Sequence, residues 1–332
     1  GFTHYTSSEG LLELREAVAR KLKRENRIEA DPKTEILITD GGFGAIFAAI
    51  QSLVDPGDEV LVPDPAWPRY FQNVLLAGGV PKPMFMTEEG RFLPDVDEIR
   101  KQVNERTKLV MLNTPSNPTG AVVPKKTLEE IGDLAVEHDL ILLLDEVYER
   151  IVYEEEHFSL ASHSDLKNHL ITVFSLSKTY AMTGWRVGYA VSNANIIKAM
   201  GNVNMYVNAC RNSFAQKAAV AALDGPQDCV ETMVREYRRR RDLIIDRLKE
   251  MDAFSVTKPA GAFYVYPRIL LNIESPDFVK QLIEKAKVSV MPGTTFSEKG
   301  EKYVRISYAN SIENISEAMN RVERVVSQLM KP

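Results

Sequence analysis

Short apolar runs alternate with segments of helical periodicity between residues 35 and 205 of this 332-residue chain. The runs EILIT (35–39), EVLVP (59–63) and KLVMLN (108–113) are each followed by a stretch in which apolar residues recur at helical spacing. Strands that alternate with helices return in the same direction, so the pattern predicts an α/β fold with a mostly parallel sheet covered on both faces. The expected strands are 35–39, 59–63, 108–113, 140–145, 170–175 and 186–191, and the expected helices are 7–26, 43–54, 66–77, 127–138 and 194–205.

The sequence changes character near residue 250. Beyond it the stretches FSVTKPAGAFYVYPRI, VSVMPG and YVRISYA are strand-like, and residues 311–330 form a closing helical segment. Strands followed by a helix, without regular alternation, are typical of an α+β unit. We therefore predict a large domain over residues 1–252 and a small C-terminal α+β domain over residues 253–332.

The charge distribution argues against binding to nucleic acid, because the formal net charge is −5. A dense basic run, Arg238 to Arg241, lies in a segment where Val234, Leu243 and Leu248 form an apolar stripe at helical spacing. Acidic residues are interleaved with the run. We interpret it as the solvated face of a helix rather than a site for nucleic acid or an acidic partner.

Cysteine content and hydropathy bear on the location of the protein. The two cysteines, Cys210 and Cys229, have neither the spacing of metal ligands nor that of a disulfide framework, which favours a reducing compartment and predicts a cytoplasmic location. No apolar run in the sequence reaches the roughly 18 residues of a membrane span, so we predict no contact with a membrane. The histidines at 157, 163 and 169 fit no metal motif, and we predict no metal site.

Polar and small residues stand at the carboxyl ends of the expected strands, where ligands bind in open α/β sheets. The turn DGGFG (40–44) offers bare backbone N–H groups at the start of a helix, which suits either a phosphate or simply a tight turn. The strand LILLLD ends in Asp145, a carboxylate that either holds a cation or protonated nitrogen, or caps a helix. A third strand runs into NTPSNPTG (113–120).

The segment FSLSKTYAMTGWRVGY (174–189) places Lys178 among aromatic and apolar residues. Burial lowers the pKa of a lysine, and the neutral amine can form an imine with a carbonyl group. A lysine that extends to the surface is the alternative. The hydroxyl groups of Ser175 and Ser177 and the guanidinium of Arg186 favour a ligand that carries a phosphate. Pyridoxal 5'-phosphate would use the lysine, the strand-end carboxylate, an aromatic face and the glycine turn together.

The sequence resembles the class I/II aminotransferases in five segments that occur in one consistent order. They are NTPSNPTG, DEVYER, SLSK (175–178), the TYAMTGWRVGY that follows it, and YVRISYA. These aminotransferases are fold-type I enzymes that depend on pyridoxal 5'-phosphate. The match runs from Tyr5 to the C-terminal helix and is most similar to the prokaryotic branch with aspartate, aromatic and broad-range enzymes. Members carry some tens of residues before the position of Tyr5, including an N-terminal arm, and the sequence leaves open whether this arm precedes Gly1 in the protein or is absent from it.

The resemblance implies a large-domain sheet of the seven-stranded type and a homodimer with shared active sites. It implies ping-pong transfer of an amino group between an L-amino acid and a 2-oxo acid. The pair 2-oxoglutarate and glutamate is expected on one side, with aspartate or an aromatic amino acid as donor.

Catalytic roles also follow from the resemblance. Lys178 would hold the cofactor covalently and act as general base, Asp145 would pair with the pyridine nitrogen, and Tyr148 would bond the phenolic oxygen. Asn117 would join Tyr148 at that oxygen, and Trp67 would stack on the ring. Asn117 and Trp67 would in addition contact the substrate.

The same resemblance implies a phosphate site and a second set of substrate contacts. Arg305 would clamp the substrate α-carboxylate, and Tyr5 would reach the phosphate in the neighbouring subunit. The backbone amides of the glycine turn, two serines and an arginine would hold the phosphate: Gly42, Phe43, Ser175, Ser177 and Arg186.

Two residues point to different substrates. Phe43 stands where acid-specific relatives often carry a lysine, which favours apolar or aromatic amino acids. Arg211 lies at a position that can reach the partner's active site in this family, and a guanidinium there would bind the side-chain carboxylate of an acidic substrate. An interface arginine without a substrate role is the alternative.

Two other functions stay open on the sequence alone. A pyridoxal-phosphate-dependent C–S β-lyase would use the same lysine, and the core motifs do not exclude it. A transcriptional regulator that keeps this fold as a ligand sensor would carry a DNA-binding module in front.

Overall fold

A computed structural model describes residues 2–154 and 156–330. Its main element is a seven-stranded sheet in the order β1-β7-β6-β5-β4-β2-β3, in which β7 runs antiparallel to both of its neighbours and the other neighbouring pairs are parallel. The predicted α/β fold with a mostly parallel sheet is therefore confirmed. The strands are β1 (Ile36–Thr39), β2 (Glu59–Asp64), β3 (Val80–Phe85), β4 (Thr107–Asn113), β5 (Ile141–Asp145), β6 (Leu170–Ser175) and β7 (Gly188–Val191).

Strand β3 was not expected from the sequence. Its residues, VPKPMF, include two prolines, which lack the N–H group that a central strand must donate. β3 pairs only with β2 and so lies at the edge of the sheet, where one side of the strand needs no partner. Its position explains why the prolines are tolerated.

Helices pack on both faces of the sheet, as the alternation predicts. They are α1 (Leu12–Lys21), α2 (Gly41–Leu53), α3 (Arg69–Leu76), α4 (Val96–Gln102), α5 (Lys125–Glu137), α6 (Leu176–Thr179), α7 (Ala194–Asn208), α8 (Ser213–Asp224), α9 (Asp228–Lys249), α10 (Ser275–Gln281) and α11 (Ile312–Leu329). Within the described parts of the chain, none of these helices is long and apolar enough to cross a membrane.

Successive residues of β4 show how the sheet separates its two cores. Leu109 and Met111 pack with α2, α3 and α7 on one face, whereas Val110 and Leu112 pack with α4 and α5 on the other. This follows from the two-residue period of a strand. Because both faces are covered, the exposed edge of the sheet that can bind a ligand is the one formed by its strand ends and loops.

The C-terminal part contains two small sheets and a separate apolar core. β8 (Phe254–Ser255) pairs with β10 (Arg268–Ile269), and β12 (Val304–Ser307) pairs with β9 (Tyr264–Val265) and β11 (Met291–Pro292). Their core also takes in Ile244 and Leu248 of α9 and Val322 of α11. The domain boundary at residue 252 stays a prediction. Helix α9 precedes that boundary in the chain and packs into the C-terminal core.

The basic run in α9 differs from its interpretation as a wholly solvated face. Arg239 is exposed, as expected, but Arg241 is fully buried. Its two terminal nitrogens each donate to Glu154 at 2.6 Å, and its guanidinium lies 4.4 Å from the ring centroid of Tyr153. Arg241 is therefore a structural residue that ties α9 to the segment after β5.

Candidate active site

A cavity of about 380 Å³ opens where β4, β5 and β6 end. Each of these strands contributes its last residue to the wall, so the cavity lies at the edge predicted from the strand ends. Of the predicted site residues, those that line it are Gly42, Phe43, Trp67, Asn117, Asp145, Tyr148, Ser175, Ser177, Lys178, Arg186 and Arg305.

Asp145, at the end of β5, is buried in the cavity wall. The hydroxyl group of Tyr70 donates to its Oδ2 at 2.5 Å, and the backbone N–H of Val147 donates to its Oδ1 at 3.2 Å. Burial raises the pKa of Asp145 to about 6, although both hydrogen bonds act in the opposite direction. A buried carboxylate in this position is suited to a positively charged ligand group.

Lys178 lies in the short helix α6 with its side chain half-buried. Its Nζ makes no hydrogen bond or ion pair with another described residue, and it lies 5.8 Å and 5.6 Å from the ring centroids of Tyr148 and Phe263. Burial lowers the pKa of Lys178, while the charge of Asp145 opposes the shift. The amine is therefore directed to the cavity and biased towards its neutral, nucleophilic form.

Two buried serines stand at the start of α6. Ser175 is the N-cap residue, and its Oγ accepts a hydrogen bond from the backbone N–H of Ser177 at 3.2 Å. The Oγ of Ser177 in turn lies 3.5 Å from a guanidinium nitrogen of Arg186. The cap therefore brings two hydroxyl groups and one cation to the same side of the cavity.

Close backbone packing fixes Arg186 beside the first turn of α2. A Cβ on Gly188 would lie 2.5 Å from the carbonyl carbon of Gly41, and a Cβ on Gly41 would lie 2.5 Å from an Nη of Arg186. Gly41 also has φ +73°, which favours glycine. The guanidinium donates to the backbone oxygens of Thr183 at 2.9 Å and Asp40 at 3.0 Å.

Helix α2 begins without a side-chain cap. Asp40 occupies the N-cap position, but its carboxylate accepts hydrogen bonds from Arg211 and Asn208 instead of from the first backbone N–H groups of the helix. Gly42 and Phe43, in this first turn, line the cavity. Their N–H groups are therefore available to an anion, and the helix dipole favours negative charge there.

Arg305 forms the opposite end of the cavity. It lies on β12 and donates from Nη1 to Oδ1 of Asn117 at 2.9 Å, while its Nε is buried and has no partner among the described residues. Its guanidinium is 4.5 Å from the ring centroid of Tyr264, whose hydroxyl group lies 3.0 Å from that of Tyr148. A desolvated guanidinium with unused donors is suited to a carboxylate.

An aromatic wall completes the cavity. The ring of Trp67 makes edge contacts with Phe43 at 5.4 Å and Tyr70 at 5.6 Å between centroids. Arg69, at the start of α3, lies over both Phe43 and Trp67 and also lines the cavity. Trp67 is thus placed on an apolar side that a planar ligand ring could use.

Two predicted site residues lie elsewhere. Arg211 is only 3% exposed, pairs with Asp40 and donates to the backbone oxygen of Asn204 at 2.8 Å. These contacts engage the guanidinium within its own chain and favour the alternative of an arginine without a substrate role, so the predicted substrate role stays a prediction that this placement does not support. Tyr5 is 88% exposed and outside the cavity of its own chain, so its role in a neighbouring subunit stays a prediction.

Sequence reasoning did not assign seven residues of the cavity wall: Ile46, Arg69, Tyr70, Asn113, Val147, Thr183 and Tyr264. Tyr70 follows Trp67 by three residues at the start of a helix, a spacing that places both on one face and could have identified it. Asn113 donates to the backbone oxygen of Asp145 at 2.9 Å and accepts from the N–H of Asn117 at 2.7 Å. Tyr264 comes from the C-terminal core, and no local pattern indicates it.

A second polar cluster lies outside the cavity wall. The carboxylates of Glu146 and Glu149 and a ring nitrogen of His157 fall within 4.8 Å of one another. Their charges are met internally, because Lys21 pairs with Glu149, and His157 Nε2 lies 2.8 Å from Glu146. The cluster is therefore accounted for by these ion pairs, and the absence of a metal stays a prediction.

The residues present fit pyridoxal 5'-phosphate. A glycine cradle that a Cβ would fill, an uncapped helix N-terminus and an anchored guanidinium match a phosphate group. At the other side stand a lysine that has no partner among the described residues and a buried carboxyl group with a raised pKa, which match an aldehyde and a protonated ring nitrogen.

Comparison with known proteins agrees with this geometry. The family model described as aminotransferase class I and II matches residues 1–322. An aspartate aminotransferase of Pyrococcus abyssi and an aromatic-amino-acid aminotransferase of Thermococcus litoralis are each 46% identical over 332 residues, covering 99% of this chain and 85% of theirs. The crystal structure of an aromatic aminotransferase from Pyrococcus horikoshii superimposes with a TM-score of 0.96 at 46% identity, covering 99% of this chain and 89% of that one.

The sheet, the strand-end cavity and the neighbouring structures together define a fold-type I aminotransferase architecture. The chain belongs to the family of class I and II aminotransferases. The predicted family and the predicted enzyme class, a transferase of amino groups, are both confirmed. Members of this family use pyridoxal 5'-phosphate as cofactor.

Proposed function

We propose that this aminotransferase binds pyridoxal 5'-phosphate at Lys178 and moves an amino group between an L-amino acid and a 2-oxo acid. The observation that carries the proposal is that one cavity contains both groups. They are the amine of Lys178, which has no hydrogen-bond or ion-pair partner among the described residues, and the buried carboxyl group of Asp145. Aspartate or an aromatic amino acid is the proposed donor, and 2-oxoglutarate the acceptor. The relatives named for aspartate and for aromatic amino acids support this range.

The cofactor, when bound, supplies an electron sink for the carbanion left by loss of the substrate α-proton. Lys178 would hold it covalently and Asp145 would pair with its ring nitrogen. The first turn of α2, Ser175, Ser177 and Arg186 would hold its phosphate. Asn117 and Tyr148 would bond its phenolic oxygen, and Trp67 would lie against its ring.

Lys178 is the group that moves the proton. As a free amine, its Nζ has a pKa that burial has lowered. A neutral amine takes the proton from the substrate α-carbon and can return it at another position. The same atom therefore serves as anchor and as general base, which is why we expect its loss to remove both properties.

Arg305 would orient the substrate by binding its α-carboxylate. Its hydrogen bond to Asn117 fixes one side of the guanidinium, and its stacking on Tyr264 restrains the plane. The free donors then approach a carboxylate in a defined direction. Orientation of this kind can contribute several kcal/mol to catalysis, up to about 7–11 kcal/mol for well-aligned groups.

We also propose a homodimer with shared active sites. Apolar side chains are exposed at the junction of α7 and α8, among them Met205, Tyr206 and Phe214, and Tyr5 is exposed as well. An apolar surface of this kind is typical of an oligomer interface. Tyr5 would contact the phosphate bound by the partner subunit, and the predicted cytoplasmic location stays a prediction.

A donor panel tests the reaction. The protein, loaded with pyridoxal 5'-phosphate, is incubated with 2-oxoglutarate and single amino acids, and we expect stoichiometric glutamate and the matching 2-oxo acid. A β-lyase would release pyruvate and ammonia from cysteine derivatives without consuming 2-oxoglutarate. A ligand sensor would give no turnover, and either result would contradict the proposal.

The role of Lys178 has a separate readout. We expect borohydride reduction of the loaded protein to fix the cofactor to the peptide that contains Lys178, as mass spectrometry detects it. Lys178→Ala should lose this mass shift and fall in turnover by at least about 10⁴-fold, since anchor and base disappear together. Lys167→Ala, at a lysine outside the cavity that pairs with Glu35, is the control. Cofactor fixed at another lysine would overturn the assignment.

A further inference from the structure

Three guanidinium groups line the active-site cavity, and two of them are already engaged. Arg186 donates to two backbone oxygens beside the phosphate site, and Arg305 donates to Asn117 at the carboxylate end. Arg69 differs from both, because it makes no hydrogen bond or ion pair with another described residue. An arginine without an acceptor in the wall of an active site has its five donors available to a ligand.

Arg69 is exposed at the rim of the cavity, and two aromatic rings lie beneath its guanidinium. Its guanidinium carbon lies 5.4 Å from the ring centroid of Phe43 and 5.6 Å from that of Trp67. A cation–π contact with aromatic rings does not consume the N–H donors of a guanidinium, so they stay free for a ligand. Arg69 therefore presents a positive edge on the same wall that offers apolar ring surface.

The chemistry of a dicarboxylic substrate requires a second cation. One carboxylate would bind Arg305. The other needs a cationic side chain that a ligand can reach and that does not bind the phosphate. Arg211 does not meet this condition, because it is buried and paired with Asp40. Phe43 supplies no charge at the position considered for acid recognition. Among the described residues of the cavity wall, Arg69 is the cation that meets both conditions.

We propose that Arg69 binds the distal carboxylate of acidic substrates and that the rings beneath it bind aromatic side chains. Aspartate, glutamate and 2-oxoglutarate would meet the guanidinium, whereas phenylalanine would displace it and pack on Phe43 and Trp67. A single wall thus serves both substrate classes. This inference rests on the proposed function, and it removes the conflict between an aromatic residue at position 43 and an acidic substrate.

The test measures a ratio of specificities with the loaded enzyme. For Arg69→Gln, we expect kcat/KM for aspartate to fall about tenfold relative to kcat/KM for phenylalanine, since one charge-assisted bond at a partly exposed site is lost. Arg69→Lys should recover part of the ratio, because it keeps the charge but not the planar fork. Arg240→Gln is the matched control: Arg240 also stacks on a ring, Tyr237 at 5.7 Å, but lies outside the cavity.

A binding measurement separates this proposal from the proposed function. Trp67 is one of two tryptophans in the chain, so its fluorescence reports ligands in the cavity. Succinate and 3-phenylpropanoate each carry one carboxylate for Arg305 and differ at the distal end. We expect Arg69→Gln to weaken succinate about tenfold relative to 3-phenylpropanoate, whether or not the protein turns over.

Three results would overturn the proposal. These are an equal loss for aspartate and phenylalanine in Arg69→Gln, an unchanged ratio of succinate to 3-phenylpropanoate binding, and a shift of the same size in Arg240→Gln. Failure of the wild-type donor panel would instead contradict the proposed function, and the succinate arm would still decide the role of Arg69.

Discussion

At the scale of the residue, the site depends on groups whose ionisation is set by burial. Asp145 and Lys178 are shifted in opposite directions, the acid upwards and the base downwards, and burial is the largest cause of both shifts. Each shift favours the neutral form in the cofactor-free protein. The protonated nitrogen of a cofactor would favour the ionised carboxylate of Asp145 again, whereas the neutral amine of Lys178 is already the form that reacts with an aldehyde.

The raised pKa of Asp145 predicts a pH-dependent stability in the cofactor-free protein. The folded-state pKa is about 6, against an ordinary value of 3.8, so the folded chain binds the proton more tightly than the unfolded chain. The free energy of unfolding should therefore fall as pH rises from about 4 to about 6, by about 3 kcal/mol from this group. Asp145→Asn lacks the titration and keeps an acceptor for Tyr70.

Urea unfolding of both proteins at pH 4, 5, 6 and 7 checks this prediction. The stability of Asp145→Asn relative to the wild type should increase through this range and level off above pH 6. Subtracting the two curves removes the titration of other groups, because both proteins share them. A difference that does not change with pH would contradict the shifted pKa.

At the scale of the element, helix α9 shows that a run of like charges can predict a helix without showing which of its side chains are buried. Its four consecutive arginines have the same local sequence context, but only tertiary packing decides which of them is buried. Arg239 is held on the surface by Glu236 of the same helix, whereas Arg241 reaches Glu154 and the backbone oxygen of Pro259. The sequence pattern predicted the helix and missed this burial, because neither partner is local.

The difference predicts unequal effects of two similar substitutions. Arg241→Ala should lower the free energy of unfolding by about 3 kcal/mol, because it removes a buried group that packs on Tyr153 and bonds Glu154. Arg239→Ala, in the same run, should change it by less than about 0.5 kcal/mol. Denaturant unfolding of the two variants at pH 7 compares them directly. Equal losses would mean that the whole run acts as one surface.

At the scale of the whole molecule, the exposed apolar side chains at the α7–α8 junction predict self-association. Tyr206 is 86% exposed, and its replacement by aspartate should weaken the dimer at least about tenfold, since a charge would be buried in the interface. Leu270→Asp, at an exposed apolar residue of the C-terminal part, is the control. Sedimentation velocity over a range of concentrations measures both. A wild-type protein that stays monomeric at micromolar concentration would contradict the homodimer.

The fold and much of the site could be predicted from the sequence for different reasons. The alternation of apolar runs is local, and it predicted the sheet except for the edge strand β3, whose prolines hide it. The motifs around Lys178, Asp145 and Asn117 are contiguous in sequence, so the resemblance located them. Contacts between distant segments escaped, as with Arg211 and Asp40, because no pattern in either segment indicates the other.

The bond between Asp40 and Arg211 also has a consequence for the order of folding. These residues are 171 positions apart, and Arg186, which anchors the other side of the same helix start, is 146 positions from Asp40. The first turn of α2 with these two contacts is therefore complete only after the chain through Arg211 has taken its place, since both contacts join distant segments. A nascent chain would emerge from the ribosome with its glycine turn long before it could capture a phosphate. Cofactor capture would accordingly mark one of the last steps of maturation.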